Sequence, residues 1–318
     1  MKFFTLLGVI YITLCVSACG KKENPPVEIS ISPWPGYEFL YLAEQKGFFK
    51  DAGLNAKLIQ LGSLSDAQRS YVNGYTDGLA STIIEVVQSQ ILGNSPLEIV
   101  MVPDYSNGGD VIITRNEFAN ISALKGKKIG CEVSSLGIFL LQRALTNAGL
   151  NLHDVTIINV EQMDGERLMQ SKEIDAFISY PPVSIKLLKH KEFHTIFSSA
   201  EIPEEIIDTI SISKKALALN PEFVPKLHKV WQMALDYYET NPEESLTIMA
   251  QREGISTADF ETVLSDFITV SSAGQKEIFQ SPEKLQQSAL EVCNTLVDIE
   301  AISTDCKKLP NLVYKGAL

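Results

Sequence analysis

The sequence alternates short runs of β-branched residues with segments whose apolar residues recur at helical spacing, and this alternation constrains the fold more than any other feature. It is typical of α/β units, in which a helix follows each strand. The first series predicts a lobe with its own sheet. Its strands are expected at 27–32, 54–60, 77–80 and 97–102, and its helices at 37–47, 66–73 and 82–92. One more strand, at 110–115, follows the loop 104–109.

The α/β pattern begins again at Lys127 and predicts a second lobe. Its strands are expected at 128–133, 155–160 and 175–179, and its helices at 135–148, 165–172 and 183–190. A β-branched run follows at 206–213, and from residue 221 onward the sequence is nearly all helical. This order predicts a helical return to lobe one after two crossings between the lobes, near residues 109–112 and 209–213.

The first residues predict a secretory signal. Lys2 precedes an apolar run over 3–16, which is too short to span a membrane and ends at small residues. The stretch from Val16 to Cys19 resembles the lipobox of bacterial lipoproteins, in which the cysteine carries the lipid; an ordinary cleaved signal with a chance cysteine is the alternative. We therefore expect a signal peptide at 1–18, a lipidated tether at 19–26, lobe one at 27–109 and 214–318, and lobe two at 110–213, which includes the crossover strands.

The composition excludes several classes of partner. The chain has 27 basic and 39 acidic residues, and a formal net charge of −12 disfavours binding to nucleic acid. It lacks a basic stripe for anionic lipid, so acyl chains rather than charge would hold it at the membrane. An apolar content of 45% over 318 residues is enough for a large core and argues against disorder.

The cysteines predict at most one disulfide. If Cys19 is lipidated and the segment before it is removed, Cys131, Cys293 and Cys306 remain. In an oxidising compartment Cys293 and Cys306 are the plausible pair, and three unpaired thiols are the alternative.

Several motifs carry a resemblance to a known family. They occur in order as Trp34-Pro35-Gly36-Tyr37-Glu38, Leu40-Tyr41-Leu42-Ala43, Lys46-Gly47-Phe48-Phe49, Gly53-Leu54, Asn73-Gly74, Leu124-Lys125-Gly126-Lys127, Gly149-Leu150 and Asp175-Ala176. This order resembles the solute-binding proteins of ABC importers in the taurine, sulfonate, nitrate and thiamine-pyrimidine branch. The resemblance implies the type II periplasmic-binding-protein fold, a monomer outside the cytoplasm, and a permease and ATPase complex as partner. It implies no cofactor.

The expected ligand site lies at the carboxyl ends of the strands, where helix N-termini offer free N–H groups. Segments with hydroxyls or aromatic rings follow four of the predicted strands, and the loop before the first crossing adds two residues. The candidate ligand-binding residues are Trp34, Gly36, Tyr37, Ser81, Thr82, Tyr105, Ser106, Ser134, Ser135 and Tyr180. The serines and threonine are also ordinary helix caps, and the loop around Tyr105 is also interpretable as a flexible hinge. Glu85, one turn into its helix, either faces the cleft to pair with a cationic group or, as is commoner for glutamate, is expected at the solvated surface.

The sequence leaves the ligand open. Helix N-termini and hydroxyls suit an oxyanion such as a sulfonate or nitrate, whereas Trp34, Tyr37 and Tyr180 suit a flat ring such as a thiamine-precursor pyrimidine. No arginine stands at the ends of the four predicted strands that these segments follow, which weakens the case for a strongly charged anion. Nucleophile elbows, phosphate loops and metal-binding motifs are absent, so we expect a binder rather than an enzyme. A ligand-sensing lipoprotein is the alternative to a transport receptor.

The lipidation hypothesis is testable by substitution. Cys19→Ser should release the protein from membranes, because the apolar segment before it is too short to anchor the chain. Fractionation of cells that express each form measures this. Mass spectrometry that places the mature N-terminus at another residue would contradict the hypothesis.

Overall fold

The computed structural model describes residues 25–93 and 95–318. The predicted signal peptide and Cys19 lie outside this range. Among the residues that it describes, no helix has both the length and the apolar character needed to cross a membrane.

The strands confirm the predicted α/β class. In chain order they are β1 (Val27–Ile31), β2 (Ala56–Gln60), β3 (Gly78–Thr82), β4 (Leu97–Met101), β5 (Asp104–Ser106), β6 (Val111–Arg115), β7 (Lys128–Cys131), β8 (Thr156–Asn159), β9 (Ala176–Ser179), β10 (Phe193–Ser198), β11 (Asp208–Ser213) and β12 (Phe267–Thr269).

Helices alternate with the strands and then dominate the C-terminal third, as predicted. They are α1 (Glu38–Gln45), α2 (Phe48–Asp51), α3 (Leu64–Val72), α4 (Ile83–Leu92), α5 (Leu136–Asn147), α6 (Gln162–Gln170), α7 (Val183–Leu188), α8 (Lys214–Leu219), α9 (Phe223–Thr240), α10 (Pro242–Glu253), α11 (Thr257–Val263), α12 (Ser272–Gln280) and α13 (Pro282–Asp298).

Two five-stranded sheets define the two lobes. The sheet of lobe one has the order β2-β1-β3-β11-β4, in which β1 runs parallel to β2 and β3. The sheet of lobe two has the order β10-β6-β9-β7-β8, in which β7 runs parallel to β8 and β9. The returning helices α9 and α10 pack on α1, and α13 packs on α4, so the C-terminal segment covers lobe one.

One strand lies in the other lobe from the one predicted. The range 110–213 was expected to form lobe two, but β11 pairs antiparallel with β3 and β4 inside the sheet of lobe one. Every residue of β11 is buried, and Ile210 and Ile212 have no exposed surface. A fully buried strand has no alternation that distinguishes one sheet from another, so the sequence could not assign it. The second crossing therefore precedes Asp208.

Short strands escaped prediction. The segment around Tyr105 was interpreted as a loop, but β5 pairs antiparallel with β12, which lies in the segment expected to be helical. Each of these strands has three residues, which is too short for a periodic signal. This two-stranded sheet ties the C-terminal segment to the first crossing between the lobes.

Local sequence explains the helix starts that border the cleft. Gly47 has φ +78°, a left-handed conformation that glycine adopts readily, and it separates α1 from α2. The Ser63 side chain accepts a hydrogen bond from the Asp66 backbone N–H and caps α3. Thr82 and Glu85 form a capping box at the start of α4. These caps hold the N-termini of α3 and α4 at the edge of the sheet of lobe one.

A disulfide closes the C-terminal segment. Cys293 in α13 is bonded to Cys306, thirteen residues further along the chain, while Cys131 is a buried free thiol. The predicted pairing is therefore present. A cross-link of this loop size restricts the unfolded chain and stabilises the return of the C-terminal segment to lobe one.

Removing this cross-link should lower stability. We expect Cys293→Ser combined with Cys306→Ser to reduce the free energy of unfolding by about 2 to 4 kcal/mol, measured by chemical denaturation. A reductant should lower the melting temperature of the wild type but leave that of the double variant unchanged. Equal responses of the two proteins would contradict a stabilising disulfide.

Candidate ligand-binding cleft

The two lobes meet at a small cavity near the carboxyl ends of β1, β3 and β9. Both lobes and both crossings contribute to its wall, which consists of Ser32, Trp34, Tyr37, Leu64, Thr82, Asp110, Leu136, Tyr180 and Asp208. Its volume is about 10 Å³. Ligand sites enclose several hundred cubic ångströms (roughly 300 or more), so the lobes must separate to admit a small organic molecule.

Trp34 forms one aromatic wall. It follows β1, and Pro35 and Gly36 turn the chain directly after it. The indole Nε1–H donates to the Asp104 carboxylate at 3.2 and 3.3 Å. Its ring meets Tyr180 of lobe two edge-on at 6.5 Å between centroids. The side chain is thereby held in a fixed orientation between the lobes.

Three buried aspartates surround this wall. Tyr37 Oη–H donates to Asp208 Oδ1, and Asp104 accepts from Trp34. Asp110 lines the same cavity after the first crossing. Asp208 is 2% exposed, and its Oδ2 has no hydrogen-bond partner within the described part of the chain. The cavity thus contains a buried carboxyl oxygen that is available to a ligand, beside the carboxyl of Asp104, which interacts with Asp208.

Burial makes these carboxyls weak acids. Desolvation raises the pKa of Asp104 and of Asp110 to about 7. It also raises the pKa of Asp208 well above its usual range, and the negative charge of Asp104 adds to this effect. None of the described residues that line the cavity is basic. The site therefore carries negative charge, or bound protons, with no cation of its own.

Side chains of each lobe bond to helix N-termini of the other. Glu85 Oε1 accepts the Leu136 backbone N–H at 2.7 Å, and Tyr180 Oη accepts the Leu64 backbone N–H at 3.0 Å. Tyr180 also donates to Glu132 at 3.1 Å. Glu85 was expected at the solvated surface, but it is fully buried because its carboxylate lies between the lobes. These bonds join the lobes across the cavity.

The structure brings four of the ten predicted residues to the cavity wall: Trp34, Tyr37, Thr82 and Tyr180. Gly36 packs behind them, where an added Cβ would lie 2.0 Å from Asp104 Oδ2. Ser134 is exposed and bonds Ser65 of lobe one at 3.3 Å, and Ser135 is buried at the start of α5.

The other three predicted residues are not part of the cavity wall, although Ser106 hydrogen-bonds the wall residue Asp110. Ser81 is an interior residue of β3, because that strand extends to Thr82, and its hydroxyl donates to the backbone oxygen of Thr82. Ser106 bonds Ser199 at 2.7 Å where the chain crosses between the lobes. Tyr105 borders a separate groove. The short strand β5 fixes the positions of Tyr105 and Ser106, and its pairing with a distant segment could not be predicted.

Sequence reasoning missed Ser32, Leu64, Asp110, Leu136 and Asp208. A signal was present for the two aspartates, because each stands beside a predicted crossing and an acidic residue there faces the space between lobes. The leucines contribute backbone N–H groups, whose importance does not depend on side-chain type. Within the described residues, no group of three or more histidines, cysteines or carboxylates is placed to hold a metal ion.

The raised pKa values predict an unusual pH dependence of stability. The folded protein should bind protons at Asp104, Asp110 and Asp208 that the unfolded chain releases above pH ~4, so the free energy of unfolding should rise as the pH falls from about 8 to about 5. Asp110→Asn should reduce the difference in the free energy of unfolding between these two pH values by roughly 1 kcal/mol or more, since one pKa unit corresponds to about 1.4 kcal/mol. Chemical denaturation at both pH values measures this.

The control is Asp236→Asn, which alters an exposed residue of α9 and should leave the pH dependence unchanged. Stability that falls between about pH 8 and about pH 5, or an Asp110→Asn variant identical to the wild type, would contradict the prediction.

Comparisons with known proteins agree with this architecture. A Brucella abortus protein whose name calls it a binding protein is 26% identical over 281 residues, which cover 82% of each chain. A 4-amino-5-hydroxymethyl-2-methylpyrimidine phosphate synthase of Saccharomyces cerevisiae is 23% identical over 229 residues, covering 66% of this chain and 65% of that protein. The alkanesulfonate-binding protein of Xanthomonas axonopodis pv. citri, solved with MOPS, shares the fold with a TM-score of 0.72 at 15% identity, covering 89% and 96% of the two chains.

The family is shown by a sequence model that spans most of both lobes. The model described as "NMT1/THI5 like" matches residues 34–245. This range begins at Trp34 and includes every described residue of the cavity wall except Ser32. The chain therefore belongs to the NMT1/THI5-like family and has the fold of the periplasmic solute-binding proteins.

Proposed function

We propose that this protein is an extracytoplasmic solute-binding protein that captures a small, flat ligand bearing N–H donors and delivers it to an ABC importer. The acidic cavity is the observation that supports this class of ligand. Asp110 and Asp208 line it, Asp208 Oδ2 is buried without a partner within the described residues, and no lining residue is basic.

The chemistry of this cavity suits an amino-substituted heterocycle. A carboxylate accepts hydrogen bonds from an exocyclic amino group, and a protonated carboxyl donates one to a ring nitrogen. Burial holds the pKa of Asp110 at about 7, so both forms are available near neutral pH. Trp34 and Tyr180 provide aromatic surface for the ring. Together these groups match an aminopyrimidine.

The same charges disfavour an anion. A sulfonate or nitrate in this cavity would lie near Asp110 and Asp208 without a cation to compensate. Whichever of these carboxyls is ionised would repel the anion, and buried like charges without compensation are strongly unfavourable. We therefore propose that the ligand is a thiamine-precursor pyrimidine and not a sulfonate or nitrate, the other class that the sequence allowed. The family description and the name of the yeast relative support this choice.

The two-lobed architecture supports a transport role over catalysis. Walls from both lobes make closure depend on ligand, because a ligand shifts the equilibrium only through its different affinities for the open and closed forms. A permease and ATPase complex that recognises the closed form would be the partner, and the lipid at Cys19 would hold the protein at the outer face of the membrane. The Cys293–Cys306 disulfide is consistent with that oxidising location.

The yeast relative is named as a synthase, so an enzymatic role has to be tested directly. Ligand recovered unchanged after long incubation with the protein would support binding alone. A membrane signalling partner in place of a permease is the remaining alternative, and neighbouring genes for a permease and an ATPase would argue against it.

Calorimetry tests the ligand class. We expect 4-amino-5-hydroxymethyl-2-methylpyrimidine to bind the wild type, and taurine and nitrate not to bind. Trp34→Ala should weaken binding by about 1 to 3 kcal/mol through the lost aromatic contact. Asp208→Asn should weaken it by about 1 to 3 kcal/mol, because an amide in place of the carboxyl removes one buried acceptor oxygen from the cavity.

Asp236→Asn is the matched control, since it makes the same chemical change on the exposed face of α9 and should bind like the wild type. The ligand class would be wrong if taurine or nitrate bound and the pyrimidine did not. The site would be wrong if the Trp34→Ala and Asp208→Asn variants both kept wild-type affinity.

A further inference from the structure

The carboxylate of Glu85 lies where a helix N-terminus of the opposite lobe meets the cavity. Its Oε2 accepts hydrogen bonds from the Thr82 backbone N–H at 2.9 Å and from Thr82 Oγ1 at 2.6 Å. Its Oε1 accepts the Leu136 backbone N–H at 2.7 Å. Both Thr82 and Leu136 line the cavity. One negatively charged side chain of lobe one thus reaches across to lobe two.

Leu136 is the first residue of α5, a helix of twelve residues. The N-terminus of such a helix attracts anions, because its free N–H groups and its dipole both favour negative charge. The first turn of α5 contains no acidic residue, and its N-cap Ser135 makes no capping hydrogen bond. Glu85 therefore supplies the negative charge that α5 lacks in its own sequence.

A second hydrogen-bonding group stands at the same helix start. Ser135 is 1% exposed, and its Oγ has no hydrogen-bond partner among the residues that the structure describes. A buried hydroxyl without a partner is costly and points to a group that bonds it when the lobes hold ligand. The start of α5 thus combines one N–H that Glu85 occupies with one hydroxyl that stays available.

The N-terminus of α3, which also meets the cavity, is bonded by a neutral group instead of a carboxylate. The N-terminal residue Leu64 of α3 donates to the neutral hydroxyl of Tyr180. At α4 and α5 the carboxylate of Glu85 takes the position that a bound oxyanion would occupy. The N-termini of α3, α4 and α5 at the cavity are thus all bonded, and an incoming anion at α5 would have to displace Glu85.

We propose that Glu85 is a specificity-determining residue, a built-in anion that occupies the N-terminus of α5 and excludes oxyanions from the interlobe cavity. The proposal rests on the proposed function in that it takes this cavity as the ligand site. It adds the means by which a protein with the fold of a sulfonate-binding protein rejects such ligands: the position is filled by a side chain, and the charge of that side chain repels a second anion.

Substitution of Glu85 should open an oxyanion site. Calorimetry at about pH 8, above the pKa of about 7 that burial gives Glu85, would measure the binding of methanesulfonate and of sulfate. Glu85→Ala removes both the charge and the occupying group, and its affinity for methanesulfonate should exceed that of the wild type by about tenfold or more. Glu85→Gln removes only the charge and keeps the capping box of α4, so it should gain a smaller, several-fold increase.

The matched control is Glu132→Gln. Glu132 is also buried beside the cavity, where it accepts from Tyr180, but it makes no hydrogen bond to the N-terminus of α5. This variant removes one negative charge and leaves Glu85 in place, so it should gain no affinity for methanesulfonate. Circular dichroism and thermal melting establish that each variant is folded.

The results that would overturn this proposal differ from the result that would overturn the proposed function. A folded Glu85→Ala variant that binds methanesulfonate no better than the wild type would overturn the proposal. If that variant does not fold, Glu85→Gln decides, and its failure to gain affinity overturns the proposal in the same way. An equal gain in Glu132→Gln would also overturn it, because net charge rather than occupancy would then control selectivity. Failure of the proposed function would appear separately, as a wild type that does not bind the aminopyrimidine.

Discussion

The antiparallel pairing of β11 with β3 is the constraint on which the rest of the structure depends. The chain leaves lobe one, builds lobe two and then returns to insert β11 between β3 and β4. In this register Asp208 lies opposite Thr82, at the carboxyl end of β3. The first residue of the returning strand is therefore delivered to the edge where ligands bind in α/β sheets. Because the return strand lies inside the sheet rather than at its edge, the sheet of lobe one is complete only with a strand that follows lobe two in the chain.

This pairing adds Asp208 to a group of acidic residues that are buried at the cleft. Asp208 comes within reach of Tyr37, which is 171 residues earlier in the chain, and Asp104 accepts from Trp34 beside it. Glu85 and Glu132 are buried from the two sides of the same cleft, and burial raises the pKa of each to about 7. Buried acids lower stability unless they are protonated or bonded. Their concentration at one cavity is typical of functional sites, where groups with perturbed pKa values cluster.

Local sequence patterns predicted much of the fold and part of the candidate ligand site. The alternation of strands and helices, the restart at Lys127 and the helical C-terminal third all depend on periods that a window of ten to twenty residues contains. Trp34 and Tyr37 were recognisable because Pro35-Gly36 forces a turn at a strand end. Tyr105 and Ser106 were assigned to the site because they lie in the loop before the first crossing. The three-residue strand β5 instead places Tyr105 at a separate groove and Ser106 behind the cavity wall, where it bonds Asp110. Glu85 was interpreted as a surface residue because nothing near it in sequence indicates that another lobe covers it.

The sequence by itself determined the α/β class, the two series of units, the aromatic turn after the first strand and the plausible pairing of Cys293 with Cys306. Each of these depends on residues that are near one another in the chain. Only the tertiary structure decided that β11 belongs to lobe one, that Asp110 and Asp208 share a cavity and that Glu85 bonds the start of α5. The physical reason is that these contacts join segments about 50 to 170 residues apart, and their partners are backbone groups or carboxyls whose role is set by burial rather than by residue type.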